Sequence, residues 1–328
     1  MNSKRALLSK TRADHRKGMF SACCLVSDWE QYEQHCHALT DKGFDEYVCE
    51  YLICDNTAKN EFDAFEAIRL FMASAKGEYV LIAHQDTAPL DKADKLISLI
   101  QELQTHDPSW GVIGNAGKAM DSPIDADMHI DMPRQSARIT SPFIRVDSLD
   151  ENILIVRNGT GITVSSNLHG FHFYGADICL IAERLGYSSY VAQFLWRHKS
   201  NGTLDKEFFK LKQTFEEHLH RHRVKTSLPT TCTVLCWSDS PRLRGKAAAL
   251  AKSIRQDNEH QLLSCPGSIL WSTLYTLSFF FCQVYYDLVS VARPAYSRVI
   301  GDVQWWRNNW KQRLLARDQK RPSDAEPS

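Results

Sequence analysis

The sequence contains neither G-x-G-x-x-G nor G-x-x-x-x-G-K-[ST]. The first absence removes the dinucleotide fingerprint and the second removes the P-loop, two Gly-rich ways of cradling phosphate on backbone amides. A chain that handles phosphate without them needs another positive charge, and a divalent cation held by a carboxylate is the obvious substitute. No C-x-x-C pair occurs among the ten cysteines. Several of them, including Cys23, Cys24, Cys54 and Cys179, lie inside apolar runs, so they read as reduced core thiols in a reducing compartment rather than as disulfides or zinc ligands. Net charge is also lacking: 39 Lys and Arg balance 39 Asp and Glu, and no global field favours nucleic acid or a polyacidic substrate. The segment Met1 to Lys17 is basic and polar without the apolar core of a secretory signal, and is expected to be a mobile tail.

What is present is a series of apolar runs. Phe20 to Val26, Tyr47 to Cys54, Tyr79 to Ala83 and Trp110 to Ile113 recur at about 30 residues, the length of a βαβ unit. Helical patterns lie between them. One runs from Trp29 to Leu39 behind Asp28, a fitting N-cap, and another carries Phe62, Phe65, Ile68, Leu70 and Phe71 up to Lys76-Gly77. The run Tyr79 to Ala83 does not alternate, as expected for a strand covered on both faces, and stops at His84-Gln85-Asp86. In open parallel sheets ligands bind beyond the carboxyl ends of the strands, so this triplet sits where a site belongs. Ser27-Asp28 and Asp55-Asn56 end the first two strands on the same edge. Each of these acids also suits a cap or turn, and both roles can hold together.

The segments Asp55-Asn56, Gly77 through Asp86, Trp110 to Gly114 and His169 to Leu180, in this order and spacing, resemble family-two glycosyltransferases of the GT-A fold. They are similar to the small StrF-related branch, where the usual D-x-D is written H-x-D. The likeness runs from about Phe20 to Arg223. It implies an α/β, Rossmann-like, mostly parallel sheet with flanking helices, and a C-terminal helical appendage follows it. It further implies that Asp86 binds manganese or magnesium, with His198 completing the metal or diphosphate site. Asp28, Asp55, Asn56 and His84 match positions on the nucleotide side. The resemblance places a base near the helix opening at Tyr174. Asp177 is the candidate there, either as the base or as a structural carboxylate, because the usual base position holds Gly175; His172, Asp150 or Asp147 are the alternatives. The partners implied are a nucleotide-sugar donor and a glycan or lipid-linked acceptor.

Gly114 and Gly117 sit where backbone can approach a ligand, or merely turn the chain. Met120 to Pro142, with Asp121, Asp125, Asp127, His129 and Asp131, reads as an inserted, solvated, acceptor-facing loop. His218, His220 and His222 alternate behind a helical apolar pattern from Leu204 to Leu219 and read as surface residues. Beyond Lys225, Ser268 to Tyr286 runs 19 residues without a charge, and Trp305, Trp306 and Trp310 follow among Arg and Lys. That combination suits an anionic membrane surface at the inner face of the cell membrane, or else helices packed on the domain or in a homodimer. The expected organisation is a tail over 1–18, a glycosyltransferase domain over 19–225, a helical membrane-associating region over 226–321 and a disordered tail over 322–328. The function expected is metal-dependent, inverting glycosyl transfer. The alternatives are a non-catalytic nucleotide- or glycan-binding homologue and a nucleotidyltransferase.

Overall fold

The computed structural model describes residues 8–9, 18–120, 126–133, 135–200, 206–222, 227–237, 241, 244–249 and 251–252. The rest of the N-terminal tail, Asp121, Asp125, the side chain of His222, the uncharged segment 268–286, the aromatic and basic segment 293–321 and the tail 322–328 lie outside the described residues. Two compact units are present, 1–202 with 211–262, and 203–210 with 263–328. The central sheet and its flanking helices belong to the first unit. No helix among the described residues is long and apolar enough to cross a membrane.

The fold is mixed α/β. Its elements in chain order are β1 (Phe20–Val26), α1 (Trp29–Asp41), β2 (Cys49–Asp55), α2 (Ala64–Ser74), β3 (Tyr79–Ala83), β4 (Thr87–Pro89), α3 (Ala93–His106), β5 (Trp110–Gly114), β6 (Phe143–Val146), β7 (Ile153–Arg157), α4 (Tyr174–Arg184), β8 (Ser188–Ala192), β9 (Trp196–His198) and α5 (Lys206–His222). An eight-stranded sheet runs in the order Leu8–Ser9, β2, β1, β3, β7, β5, β8, β6. Strands β1, β2, β3, β5 and β8 point one way, while Leu8–Ser9, β6 and β7 run against them.

The non-alternating run of β3 is explained by cover on both faces. Tyr79, Leu81 and Ala83 enter a core shared with Leu96, Ile100 and Leu103 of α3, while Ile82 on the opposite face borders a cavity with Ile68 and Phe71 of α2. The helices begin as their caps require. Asp28 Oδ1 accepts from Gln31 N at 3.0 Å, and Asp63 Oδ1 accepts from Glu66 N at 2.8 Å. Strand β7 pairs antiparallel with β3, Ile153 opposite Ala83. The residues entering it, Asp150 to Asn152, therefore lie beside the residues leaving β3, and His84 N donates to Asn152 O at 3.2 Å.

Three expectations are corrected. Gly114 and Gly117 do not make room for a ligand: a Cβ there would meet Leu149 Cδ2 at 2.9 Å and Ser148 O at 2.6 Å. His218 is not a surface residue; it is buried, stacks on Phe215 and shares a 3.0 Å hydrogen bond with Asn167. Within the Met120–Pro142 segment Ile130–Met132 pairs with Gln135–Ala137, and His129 is buried rather than solvated. A fixed backbone approach also explains Gly175, where a Cβ would lie 2.4 Å from the Leu149 carbonyl oxygen. Gly175→Ala should therefore lower stability by about 1–3 kcal/mol through overpacking. Gly245→Ala, whose Cβ meets nothing within 4 Å, should stay within about 0.5 kcal/mol of wild type in the same thermal melts.

Candidate metal centre

His84, Asp86 and His198 offer ligand atoms that all lie within 4.8 Å of one another. Two backbone devices bring them together. Leaving β3, the chain turns tightly over His84-Gln85-Asp86, with Thr87 N and Oγ1 both donating to His84 O at 3.2 and 2.7 Å. It then forms β4, whose Thr87 pairs with His198 of β9. Lys199 N donates to Asp86 O at 3.0 Å, closing the junction. His198 thus stands beside Asp86, with Nε2 to Oδ1 at 3.4 Å and Ser200 Oγ 3.1 Å from the same nitrogen. The two imidazoles lie edge to face, centroids 5.5 Å apart.

The electrostatics suit a cation. Burial pushes His84 down to about 4, reinforced by His198, so its imidazole is neutral at neutral pH. Burial alone would raise Asp86, but its hydrogen bond to His198 and the field of that ring outweigh it and hold the carboxyl at about 2. An ionised carboxylate and a neutral imidazole are the forms that ligate metal. His35 packs behind the site, and its Nδ1 lies 2.7 Å from Thr87 O, supporting the β4 strand.

A cavity of about 510 Å³ opens beside this cluster, between the carboxyl ends of β1 to β3 and helix α2. Leu25, Ala64, Ile68 and Phe71 make its wall apolar, while Ser27, Asn60, His84, Asp86 and His172 supply polar groups. Among the residues assigned to the nucleotide side, His84 and Asn56 line it, but Asn56 spends its amide on Phe62 O, Glu61 N and Phe62 N. Asp28 and Asp55 do not line it. Asp28 caps α1, and Asp55 Oδ1 accepts from Thr57 N and Oγ1 at 2.9 and 2.7 Å.

Of the four candidate proton acceptors, His172 lines the cavity, Asp150 is close enough for its charge to act on His84, and Asp147 Oδ2 accepts from Met120 N at 2.7 Å. Asp150 is held by Asn152 and by Thr231 Oγ1 at 2.9 Å. Asp177, expected either as the base or as a structural carboxylate, sits against Ser165. It is buried, pushed up to about 6 by burial, and both its oxygens accept from Ser165, at 2.6 and 2.8 Å.

Sequence reasoning gave no role to three residues of this region. Gln85 Oε1 accepts from Ser27 N and Asp28 N while its Nε2 donates to Ser27 Oγ, clamping the β1–α1 loop to β3. Tyr174 hydrogen-bonds His84. Glu151 is pushed up to about 8 by burial and by Asp150, against the pull of backbone amides that include Phe173 and Gly175. Only Gln85 had a signal in the sequence, as the middle residue of the triplet.

No family model matches the chain. It is 33% identical over 209 residues to the protein named ATP synthase subunits region ORF 6 of Fuscovulum blasticum, covering 62% of this chain and 84% of that one. The chain belongs to the family of that protein. The relative's name states no activity. Among solved structures the chain is similar to a mannosyltransferase of Pyrobaculum calidifontis in complex with GDP-Man and Mn2+, at 12% identity and a TM-score of 0.44, covering 89% of this chain and 87% of that chain. It is also similar to residues 1–349 of S. aureus TarS, at 11% identity and a TM-score of 0.39, covering 87% and 88%. Likeness at this level does not extend to activity.

The depressed His84 pKa carries a consequence for stability. Between pH 6.5 and about 4 the unfolded chain binds a proton that the folded chain does not, so stability falls as pH drops through that window. In chelator-treated protein the contribution should be on the order of 3 kcal/mol. His84→Gln should flatten that part of the curve of melting temperature against pH. A His84→Gln curve parallel to wild type would show that His84 titrates normally.

Proposed function

We propose that the chain is a GT-A-type glycosyltransferase that uses a divalent cation and a nucleotide-sugar donor. The observation that carries this reading is the convergence of His84, Asp86 and His198 at the carboxyl edge of the sheet, beside a largely apolar cavity that His84 and Asp86 line. The H-x-D order and the late histidine are the features through which the sequence resembles that enzyme family. Two imidazoles and a carboxylate fit manganese better than magnesium, which prefers an all-oxygen set. When bound, the cation would supply Lewis-acid neutralisation of a departing diphosphate.

The protein's own residues supply the rest. The apolar wall of Leu25, Ile68 and Phe71 receives a flat nucleobase, and Ser27 and Asn60 offer polar contacts at its rim. Gln85 holds the β1–α1 loop in place beneath it. The acceptor hydroxyl gives its proton to His172 or Asp150, since Asp177 is committed to Ser165. The acceptor is a glycan or lipid-linked glycan, and attachment through 268–321 to the inner membrane face would bring the enzyme to it. A non-catalytic binding homologue is the second reading, because Gly175 stands where the related enzymes carry their base.

Calorimetric titration with UDP, GDP and dTDP, with and without manganese, tests the donor site. One nucleotide should bind with metal, and Asp86→Ala should abolish the metal-dependent part. Tight binding that is indifferent to both metal and Asp86→Ala would sink the metal reading. Metal-dependent release of nucleoside diphosphate from the matching nucleotide sugar separates the enzyme from the binding homologue.

A further inference from the structure

Tyr174 sits at a strained entry to its helix. The residue before it, Phe173, is the non-glycine residue with positive φ (66°) among the described residues, and it forms the N-cap of α4 without a side-chain cap. A phenylalanine stays in this left-handed region only where packing over-determines it. Phe173 stacks on Phe215 of α5, centroids 5.9 Å apart and planes 9° from parallel. The following ring, Tyr174, is buried edge-on against Phe65 at 6.3 Å. Both aromatic contacts therefore aim the Tyr174 hydroxyl at one place.

That hydroxyl makes two hydrogen bonds, to the Glu151 carbonyl oxygen at 3.1 Å and to His84 Nε2 at 2.7 Å. A carbonyl can only accept, so the single hydroxyl proton is spent on Glu151. The phenolic oxygen is then an acceptor toward His84, and Nε2 must carry the proton. The direction of the bond follows from counting protons and is the same whatever the charge of the ring. We propose that Tyr174 is a positioning residue that fixes His84 in its Nε2–H form, leaving Nδ1 as the ring nitrogen open to a cation shared with Asp86 and His198. The backbone of His84 is pinned independently through Asn152 O, so the residue is held at both ends. A ligand histidine whose other nitrogen is fixed in this way loses no population to the wrong tautomer, and removing such a partner typically costs 10- to 100-fold in metal affinity. The proposal rests on the metal reading above for its purpose, though not for the hydrogen-bond direction.

Two measurements on the full chain test it. Long-range proton–nitrogen NMR correlation on histidine-labelled protein in chelator, with His84→Gln identifying the resonance, should show His84 as the Nε2–H tautomer. Tyr174→Phe should convert it to a mixture. An Nδ1–H tautomer in wild type overturns the proposal without reference to metal. Mn2+ titration followed by electron paramagnetic resonance should then give about 10- to 100-fold weaker binding for Tyr174→Phe, at a melting temperature that confirms folding. Equal affinity in a folded variant overturns the positioning role. Absence of Mn2+ binding by wild type overturns the metal reading and the purpose assigned to Tyr174, while the tautomer result still decides the hydrogen bond.

Discussion

The pairing of His198 with Thr87 is the contact on which the site depends. It joins positions separated by about half of the domain's length, and its register is protected by alternation along β9. Trp196 is fully buried in the core, Arg197 points outward to Asp131 at 2.7 Å, and His198 returns inward beside Asp86. A slip of one residue would expel the indole and drive a guanidinium into its place. The hydrophobic anchor two residues earlier therefore sets the position of the imidazole. His35, bonded to the same Thr87 carbonyl from α1, steadies the partner strand.

Around that junction the acidic residues divide their labour according to the backbone groups near them. Helix starts and tight turns leave amides that need an acceptor. Asp28, Asp55, Asp63 and Asp177 answer such demands, and all four accept from nearby backbone N–H groups. Asp86 is different. Its carboxylate faces imidazoles, and the position of a charge beside a neutral, partly buried His84 makes it the natural anchor for a cation. Glu151 is different again, since burial and Asp150 push it toward its neutral form. Neighbouring carboxyls thus hold distinct protonation states within one sheet edge.

The loop before α4 ties the two sides of the cleft together. His169 pairs with Asp63 at 2.9 Å at the cap of α2, Ala64 N donates to Gly170 O, and Arg69 of the same helix reaches Ser165 O at 3.1 Å. Leu211 packs against Gly170, and Phe215 and His218 of α5 hold Phe173 and Asn167. The cavity wall contributed by Phe171 and His172 is therefore supported from both flanks. Rigid support of this kind is what a precisely spaced ligand set requires.

Strands β1, β2, β3 and β5, the helical patterns at α1 and α2 and the two-sided burial of Tyr79–Ala83 were legible in the sequence, because apolar periodicity and N-caps are local properties. So was the triplet His84-Gln85-Asp86 at a strand end, and the resemblance singled out His198. The antiparallel insertion of β7, the burial of His129 and His218, and the roles of Tyr174 and Glu151 were not legible. Each depends on which distant backbone lies alongside, and no local pattern records that a tyrosine will share its hydroxyl between a carbonyl and a histidine. The case of Asp177 shows the limit most clearly. Its helical position suited both a base and a structural carboxylate, and that Ser165 stands against both of its oxygens is visible only in the folded chain. The sequence alone determined which elements form and which ligand types reach the sheet edge, since those follow from short-range sterics and hydrophobic period. Tertiary structure decided which carboxylates are free to face a ligand, since that depends on long-range contacts satisfying or withholding hydrogen bonds.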